Sequence, residues 1–436
     1  MENTLLVGYS RQVITPQHKV RITGYGDDER RFNEGIADDL YTTCIAVTSG
    51  KDTILLFTSD LLGTNPVVAG WLRETICGPT GVPADHIFTS ATHSHNAPPT
   101  LDNPPDVVEF RKGFLAGALK AAQEALADQA PAKLFAGVKE LPGLNFIRHY
   151  LMEDGSYSGS NFGNLKLKSI AHARETDPRM MILQFRREEK PDIVMMNWQA
   201  HNDTVRETGY YLLSAGYVGH IRSQFEQDTG MHFAFFQGAS GDQAKATRFE
   251  EEKHNLNWIE YGHHLAKEAR KMLPDLQPVQ GTQIKTSQVI LDINVNHDWD
   301  HMIEQAHEVY DLWKTAGKPE GDALGKTYGF SSVYQARDIR IRYKMEKTMQ
   351  TELNAFSIGQ LGFAHCYNEV FSTVGRYVRA NAPFDKVFWV TGNSRYLPCK
   401  EAYDYRSYEA DTSMYARGTA EKIQEKLVEM LQALKQ

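Results

Sequence analysis

A chain of 436 residues, 41% hydrophobic and 23% charged, is long enough to bury a sizeable core and polar enough to stay in water. Its formal charge of −8 excludes a nucleic-acid partner held by phosphate neutralisation, and no basic run reverses that balance. No segment reaches the ~18 apolar residues of a spanning helix, so stable membrane insertion is not expected.

The opening "MENTLLVGYSRQVITP" has no basic n-region, and its apolar stretch is too short for a secretory signal. Cys44, Cys77, Cys366 and Cys399 are scattered without metal-type spacing. Reduced thiols and a cytoplasmic location are therefore expected. "CIAVTSG" and "DTILLFTSD" predict two strands joined by a Gly-Lys-Asp turn. "PVVAGWLRETICG" predicts a helix stopped by glycine, and "HIFTSAT" the next strand. "DVVEFRKGFLAGALKAAQEALAD" has apolar residues at helical spacing and predicts an amphipathic helix. "MMILQF" and "DIVMMNWQAH" read as buried strands, and "YVGHIRSQFEQDTG" as a helix. "HFAFFQGASGD" is an apolar strand running into a Gly-rich turn. Beyond "PDLQPVQG" come a strand in "KTSQVILDINV" and a helix in "WDHMIEQAHEVYDLWKTAGK". "YQARDIRIRYKMEKTMQ" fits both the helix and the strand period. "LNAFSIGQLGFAHC" predicts two short strands around a turn, and "KVFWVTG" one more. "DTSMYARGTAEKIQEKLVEMLQALK" predicts the closing helix. No repeat or Ser/Gly/Pro linker divides the chain, so residues 1–436 read as a single layered α/β domain, helices covering a mixed sheet.

Three strand ends carry groups that suit a metal. They are His93 in "ATHSH", His201 closing "VMMNWQAH", and Glu369 in "GFAHCYNEV". Zinc accepts imidazole nitrogen and carboxylate oxygen, and α/β folds build sites just beyond strand ends. Taken singly, each has a bland alternative, a satisfied polar residue or a capping carboxylate. The "HSH" spacing adds weight. On an extended backbone positions i and i+2 point to the same side, so His93 and His95 would face one cavity. One could bind metal while the other hydrogen-bonds or moves a proton.

The whole set resembles the catalytic domain of the neutral/alkaline (non-lysosomal) ceramidases and their shorter relatives. "VGYSRQVITP" is similar to the family's opening strand, "GIADDLYTTCIAV" to its Gly-Ile…Leu-Tyr segment, and "LLFTSDLLG" to its Ser-Asp strand end. "SATHSHNAPP" resembles "GTHTHSGPGG", "MMNWQAHNDT" resembles "NFAVHPT", and "FFQGASGDQ" resembles the family's Gly-Asp turn. "NSRYLPCKEAYDYRSYE" resembles "NDYSGYVTTREEYAVQRYE", with a second tyrosine and a glutamate after it. The resemblance implies a zinc held by His93, His201, Glu369 and Tyr396. It implies catalytic roles for His95, for Arg148 in "NFIRHY", and for Tyr408, which takes the place of a tyrosine that donates to the reacting carbonyl. Asp60 and Asp242 match aspartates with a structural role.

The chain also departs from that pattern. Ceramidases carry Gly-Asp-Val-Ser, whereas this turn reads "GDQAK", placing Ala244 where the family has its serine. Ser240, on the other side of the glycine, reads as a residue that satisfies the turn. "HNDT" replaces "HPT", and neither the family's Ig-like domain nor its export signal is expected here. Long-chain ceramide is accordingly not the expected substrate. The expectation is a zinc-dependent hydrolase cleaving an amide (C–N) bond of a small polar molecule through a zinc-activated water. The alternatives are a zinc enzyme acting on a sugar-derived substrate by elimination or isomerisation, or a non-catalytic zinc-binding relative. A small-molecule substrate is the expected partner, and homo-oligomerisation is left open.

Overall fold

The computed structural model describes residues 4–26, 31–159 and 167–435. Eight strands build the larger sheet: β1 (Leu5–Val13), β2 (Tyr41–Ser49), β3 (Asp52–Ser59), β4 (Ile87–Ala91), β5 (Ala130–Glu140), β6 (Arg179–Arg187), β7 (Ile193–Trp198) and β8 (His232–Gln237). Their order is β8-β7-β6-β5-β1-β2-β3-β4, and the short strand Gln277–Pro278 adds to β5. Pairing is antiparallel except between β3 and β4 and between β7 and β8. A second sheet is ordered β9 (Ile284–Asn294), β10 (Thr348–Ile358), β11 (Leu361–Cys366), β12 (Val387–Thr391), and its last pair is parallel.

Strand alternation explains how the two sheets come together. Ile45, Val47, Leu56, Phe88, Leu183 and Met195 share one buried layer with Phe356, Phe363 and Phe388 of the second sheet. Phe356 stacks on Phe88 with centroids 4.2 Å apart and on Phe363 at 4.3 Å, bridging the sheets. Their sequence neighbours face the other way. Cys44, Ala46, Leu55 and Ile87 pack on α1 (Pro66–Thr80) and α2 (Pro105–Ala127). Ile182, Val194 and Met196 pack on α3 (Tyr217–Thr229) and α4 (Trp258–Met272). Leu353, Ala364 and Trp389 pack on helices Ser372–Asn381 and Thr419–Lys435. The result is four layers, helix–sheet–sheet–helix. Where both faces of a sheet are covered, strands such as "IVMMNW" are buried at every position, Asn197 being the one polar residue in that run. The mixed sheet and covering helices agree with the layered α/β expectation. The second sheet, packed face to face on the first, is additional to it.

Three local differences have physical reasons. The ambiguous stretch divides: Val333–Arg342 is helical and the strand of the second sheet begins at Thr348. The closing helix begins only at Thr419, because Tyr408–Thr412 makes its own short turn, capped by the Ser407 hydroxyl, and Tyr415 bridges to Val295. Strand β5 escapes sequence reading because its buried positions include Ala130, Ala132 and Ala136, too small to show an apolar alternation.

No helix among the described residues is long and apolar enough to cross a membrane. The parallel pairs β3–β4, β7–β8 and β11–β12 each bring two strand carboxyl ends out together, and polar side chains collect beyond them. Residues 93, 201, 240, 369 and 396 all follow such ends.

Candidate metal centre

His93 lies two residues beyond β4, and its backbone is left-handed, with φ at +60°. Only a few per cent of non-glycine residues adopt this conformation, and it costs about 1–3 kcal/mol unless the surroundings enforce it. They do. The Thr92 hydroxyl donates to Asp60 at 3.1 Å, the Ser94 N–H donates to the Leu61 carbonyl at 3.1 Å, and the His93 Nδ1 lies 2.7 Å from the Leu62 carbonyl. This backbone corrects one step of the sequence reasoning. His93 and His95 do face one cavity, but a left-handed residue brings them there, not strand alternation.

His201 follows β7, its N–H donating to the Gln243 carbonyl at 2.9 Å and its Nδ1 3.3 Å from the Ser240 carbonyl. Glu369 begins a two-residue strand, Glu369–Val370, paired in parallel with Tyr396–Leu397, so Glu369 and Tyr396 stand opposite each other. These segments bring three ligand atoms into one triangle. His93 Nε2 and His201 Nε2 are 3.0 Å apart, and each is 3.3 Å from Glu369 Oε1. Two ligands at ~2.0–2.1 Å from a tetrahedral zinc lie ~3.3–3.4 Å apart, close to these edges.

The donor set fits a cation on chemical grounds. Carbonyls at both Nδ1 atoms fix the Nδ1–H tautomer, which leaves both Nε2 lone pairs pointing at the carboxylate. Glu369 Oε1 is buried with no hydrogen-bond donor. Three acceptors facing one another, with no proton between them, repel unless a positive ion joins them. Burial, reinforced by Arg148 and the neighbouring imidazoles, holds His201 well below the usual histidine range, and so in the neutral form that ligation needs.

His95 Nε2 is 3.4 Å from His93 Nε2, so three buried imidazoles gather within ligand distance of one another. Burial, with His93, Arg148 and Arg31, also holds His95 well below its ordinary value. Its backbone is pinned by Arg31, whose Nη1 donates to the His95 carbonyl at 2.8 Å while the guanidinium lies 4.6 Å from the Tyr25 ring centroid and 4.5 Å from that of Tyr210.

Arg148 is buried beside the triangle. Its Nη2 donates to the Gly241 carbonyl at 2.8 Å and to the Tyr396 hydroxyl at 3.0 Å. Its Nε donates to Glu409 Oε1 at 2.8 Å, and the other oxygen of Glu409 is 2.7 Å from His149 Nε2. Burial alone would push the Glu409 carboxyl up, but the neighbouring His149 ring and Arg148 guanidinium outweigh it and hold the group far below the usual carboxylate range. Burial and the Glu369 charge push the Tyr396 phenol well above its ordinary value. Tyr408 lines the same space, its ring 6.0 Å from that of Tyr396. All seven sequence-derived site residues thus gather around one centre.

Other expected features take structural places. Asp60 accepts two bonds from Arg222 at 2.8 and 2.9 Å and one from the Tyr41 N–H. Asp242 pairs with Arg174 at 2.9 Å and accepts from the Ser372 N–H at 2.7 Å. The Ser240 hydroxyl accepts from Gln237 at 2.7 Å, which satisfies the turn. Ala244 bridges to Phe146. Asn202, in the unusual "HND", stitches the loops together by donating to the Thr92 and Ala215 carbonyls. Sequence reasoning missed Glu409, His149 and Arg31. Only Glu409 left a signal, as the acid that follows Tyr408.

No family model and no curated protein matches this sequence. Solved structures do match. All of this chain superposes on 75% of the chain of neutral ceramidase from Pseudomonas aeruginosa, at a TM-score of 0.76 and 17% identity. It also superposes on 76% of a ceramidase complexed with C2, at a TM-score of 0.72 and 17% identity. The chain therefore has a neutral ceramidase-like fold.

Proposed function

We propose that the protein is a zinc-dependent hydrolase that cleaves an amide bond of a small polar substrate. The observation that carries this reading is the triangle of His93 Nε2, His201 Nε2 and Glu369 Oε1, edges 3.0–3.3 Å, in which the buried Glu369 oxygen has no hydrogen-bond partner. His93, His201, Glu369 and Tyr396 would hold the ion. A zinc ion there would supply a Lewis acid and make water far more acidic than it is in bulk.

The chain's own residues supply the rest. Arg148, fixed by Glu409 and the Gly241 carbonyl, presents a preoriented cation to the oxygen that gains charge as an acyl carbon turns tetrahedral. Tyr408, its phenol kept protonated by burial, donates to that same oxygen. His95, neutral and beside the triangle, takes a proton from the attacking water and passes it to the departing amine as the C–N bond breaks. With Ala244 at the turn there is no serine nucleophile, so hydrolysis proceeds without an acyl-enzyme.

The test is zinc loading followed by removal of excess metal, then an assay of free amine from a panel of N-acyl amides. About one equivalent of zinc is expected, with amine release abolished by a chelator and restored by zinc. Less than about a tenth of an equivalent, or zinc without amine release, would reject the reading. Mass spectrometry separates the alternative chemistry, since hydrolysis adds one water and elimination or isomerisation does not.

A further inference from the structure

Two cavities open onto the centre, and they differ in chemistry. Gly24, Gly26, His95, Tyr396 and Tyr408 form the wall common to both. One, of about 490 Å³, is bordered by the apolar Leu61, Pro98 and Ile341 and also by Asp102, Arg395 and Arg337, the last paired with Asp338. The other, of about 590 Å³, is bordered by Tyr25, Tyr210, Trp313 and Tyr334, and by the cations Arg148, Arg206, Lys314 and Lys318.

Asp203 is the one carboxylate among the described residues that line the second cavity. Glu409 already neutralises Arg148, and Asp322 pairs with Lys318. Arg206 is different. Its guanidinium lies 5.4 Å from the Tyr25 ring centroid, and no acidic side chain among the described residues comes within ion-pair distance of it. An arginine on an aromatic shelf, facing a cavity, presents a planar fork of donors that matches a carboxylate. The walls suit a ring. Tyr25 and Tyr210 stack at 5.5 Å, and Trp313 meets Tyr334 edge-on at 5.5 Å. A long alkyl chain would gain little here, because the lining is aromatic and charged.

We infer that the substrate straddles the centre, with a ring-bearing, carboxylate-carrying half in the Arg206 cavity and a short apolar half in the Leu61–Pro98 cavity. This rests on the amide-hydrolase reading for its chemistry, but it is tested by binding alone. The probes are N-acetyl-tyrosine and its carboxamide, which share ring, acyl group and size and differ in charge.

Calorimetry on the zinc-loaded full chain is expected to give the carboxylate a Kd roughly tenfold or more below that of the carboxamide, a ratio that shrinks as salt is raised. Arg206→Ala should bring the ratio to about one, and Arg206→Lys should restore part of it. A ratio of about one in the wild type, a ratio unchanged in Arg206→Ala, or no binding of either probe would overturn the inference. Amine release is followed in the same samples. Binding with the expected ratio but no amine release would count against hydrolysis and leave this assignment standing. Amine release from both probes at equal Kd would do the reverse.

Discussion

Replacing Glu409 by glutamine removes a charge but little volume from the network that holds Arg148. Both side chains are only 3–4% exposed, and Glu409 accepts from Arg148 Nε at 2.8 Å and meets His149 Nε2 at 2.7 Å. Losing one partner of a buried pair leaves the other charge uncompensated, at a cost of about 3–5 kcal/mol. At about 2.1 cal/mol/K per residue, unfolding 436 residues carries about 0.9 kcal/mol/K. The loss therefore lowers Tm by about 3–5 °C, measurable by scanning calorimetry. The sign of the pH dependence follows from the depressed carboxyl. Its contribution is full above the unfolded value of 4.5 and is lost as pH falls towards the lower folded value. The difference between wild type and Glu409→Gln should thus be flat at neutral pH and shrink as pH falls below about 4.5. Turnover should fall by about 10²–10³, because Arg148 loses its orientation. A Tm within about 1 °C of wild type at neutral pH would refute the claim that this pair anchors the site.

Three further predictions concern the centre itself. His93→Ala and His201→Ala should each abolish zinc retention by elemental analysis, whereas His95→Ala should keep the metal and lose rate; equal zinc loss in His95→Ala would make His95 a ligand. Gly24→Ala should slow turnover while zinc content is kept, since its φ is +120° and a Cβ would lie 2.6 Å from the His95 Cα and Cβ. A crystal structure of that variant should show the His95 ring displaced. Ser240→Ala should cost about 1 kcal/mol in denaturant titration and leave turnover within about threefold, because its hydroxyl serves Gln237 and not the reaction.

Much of the candidate centre was legible because the side chains that gather there stand where predicted strands end, and strand ends are readable from apolar runs that stop at polar residues. His201 after "VMMNWQA" and His93 after "HIFTSAT" are of this kind. Other features leave no such trace. The left-handed backbone of His93 is imposed by contacts with Asp60 and with residues 61 and 62, more than thirty positions away along the chain. Arg148 is a lone arginine in sequence, and its role emerges only where Glu409, 261 positions on, folds against it. The face-to-face sheets were hidden for a related reason. A strand buried on both sides has no polar period to show which layer covers it, as in "LGFAHC".

The distances along the chain between the ligand residues have one more consequence. His93 and His201 are 108 positions apart, and Glu369 comes from the second sheet's side of the molecule. No fragment that ends before that carboxylate holds all three atoms, so an ion held by all of them would require both sheets to have docked first. Ion uptake by such a centre would then report on the last stage of folding, and a chain truncated before Glu369 would be expected to lack it.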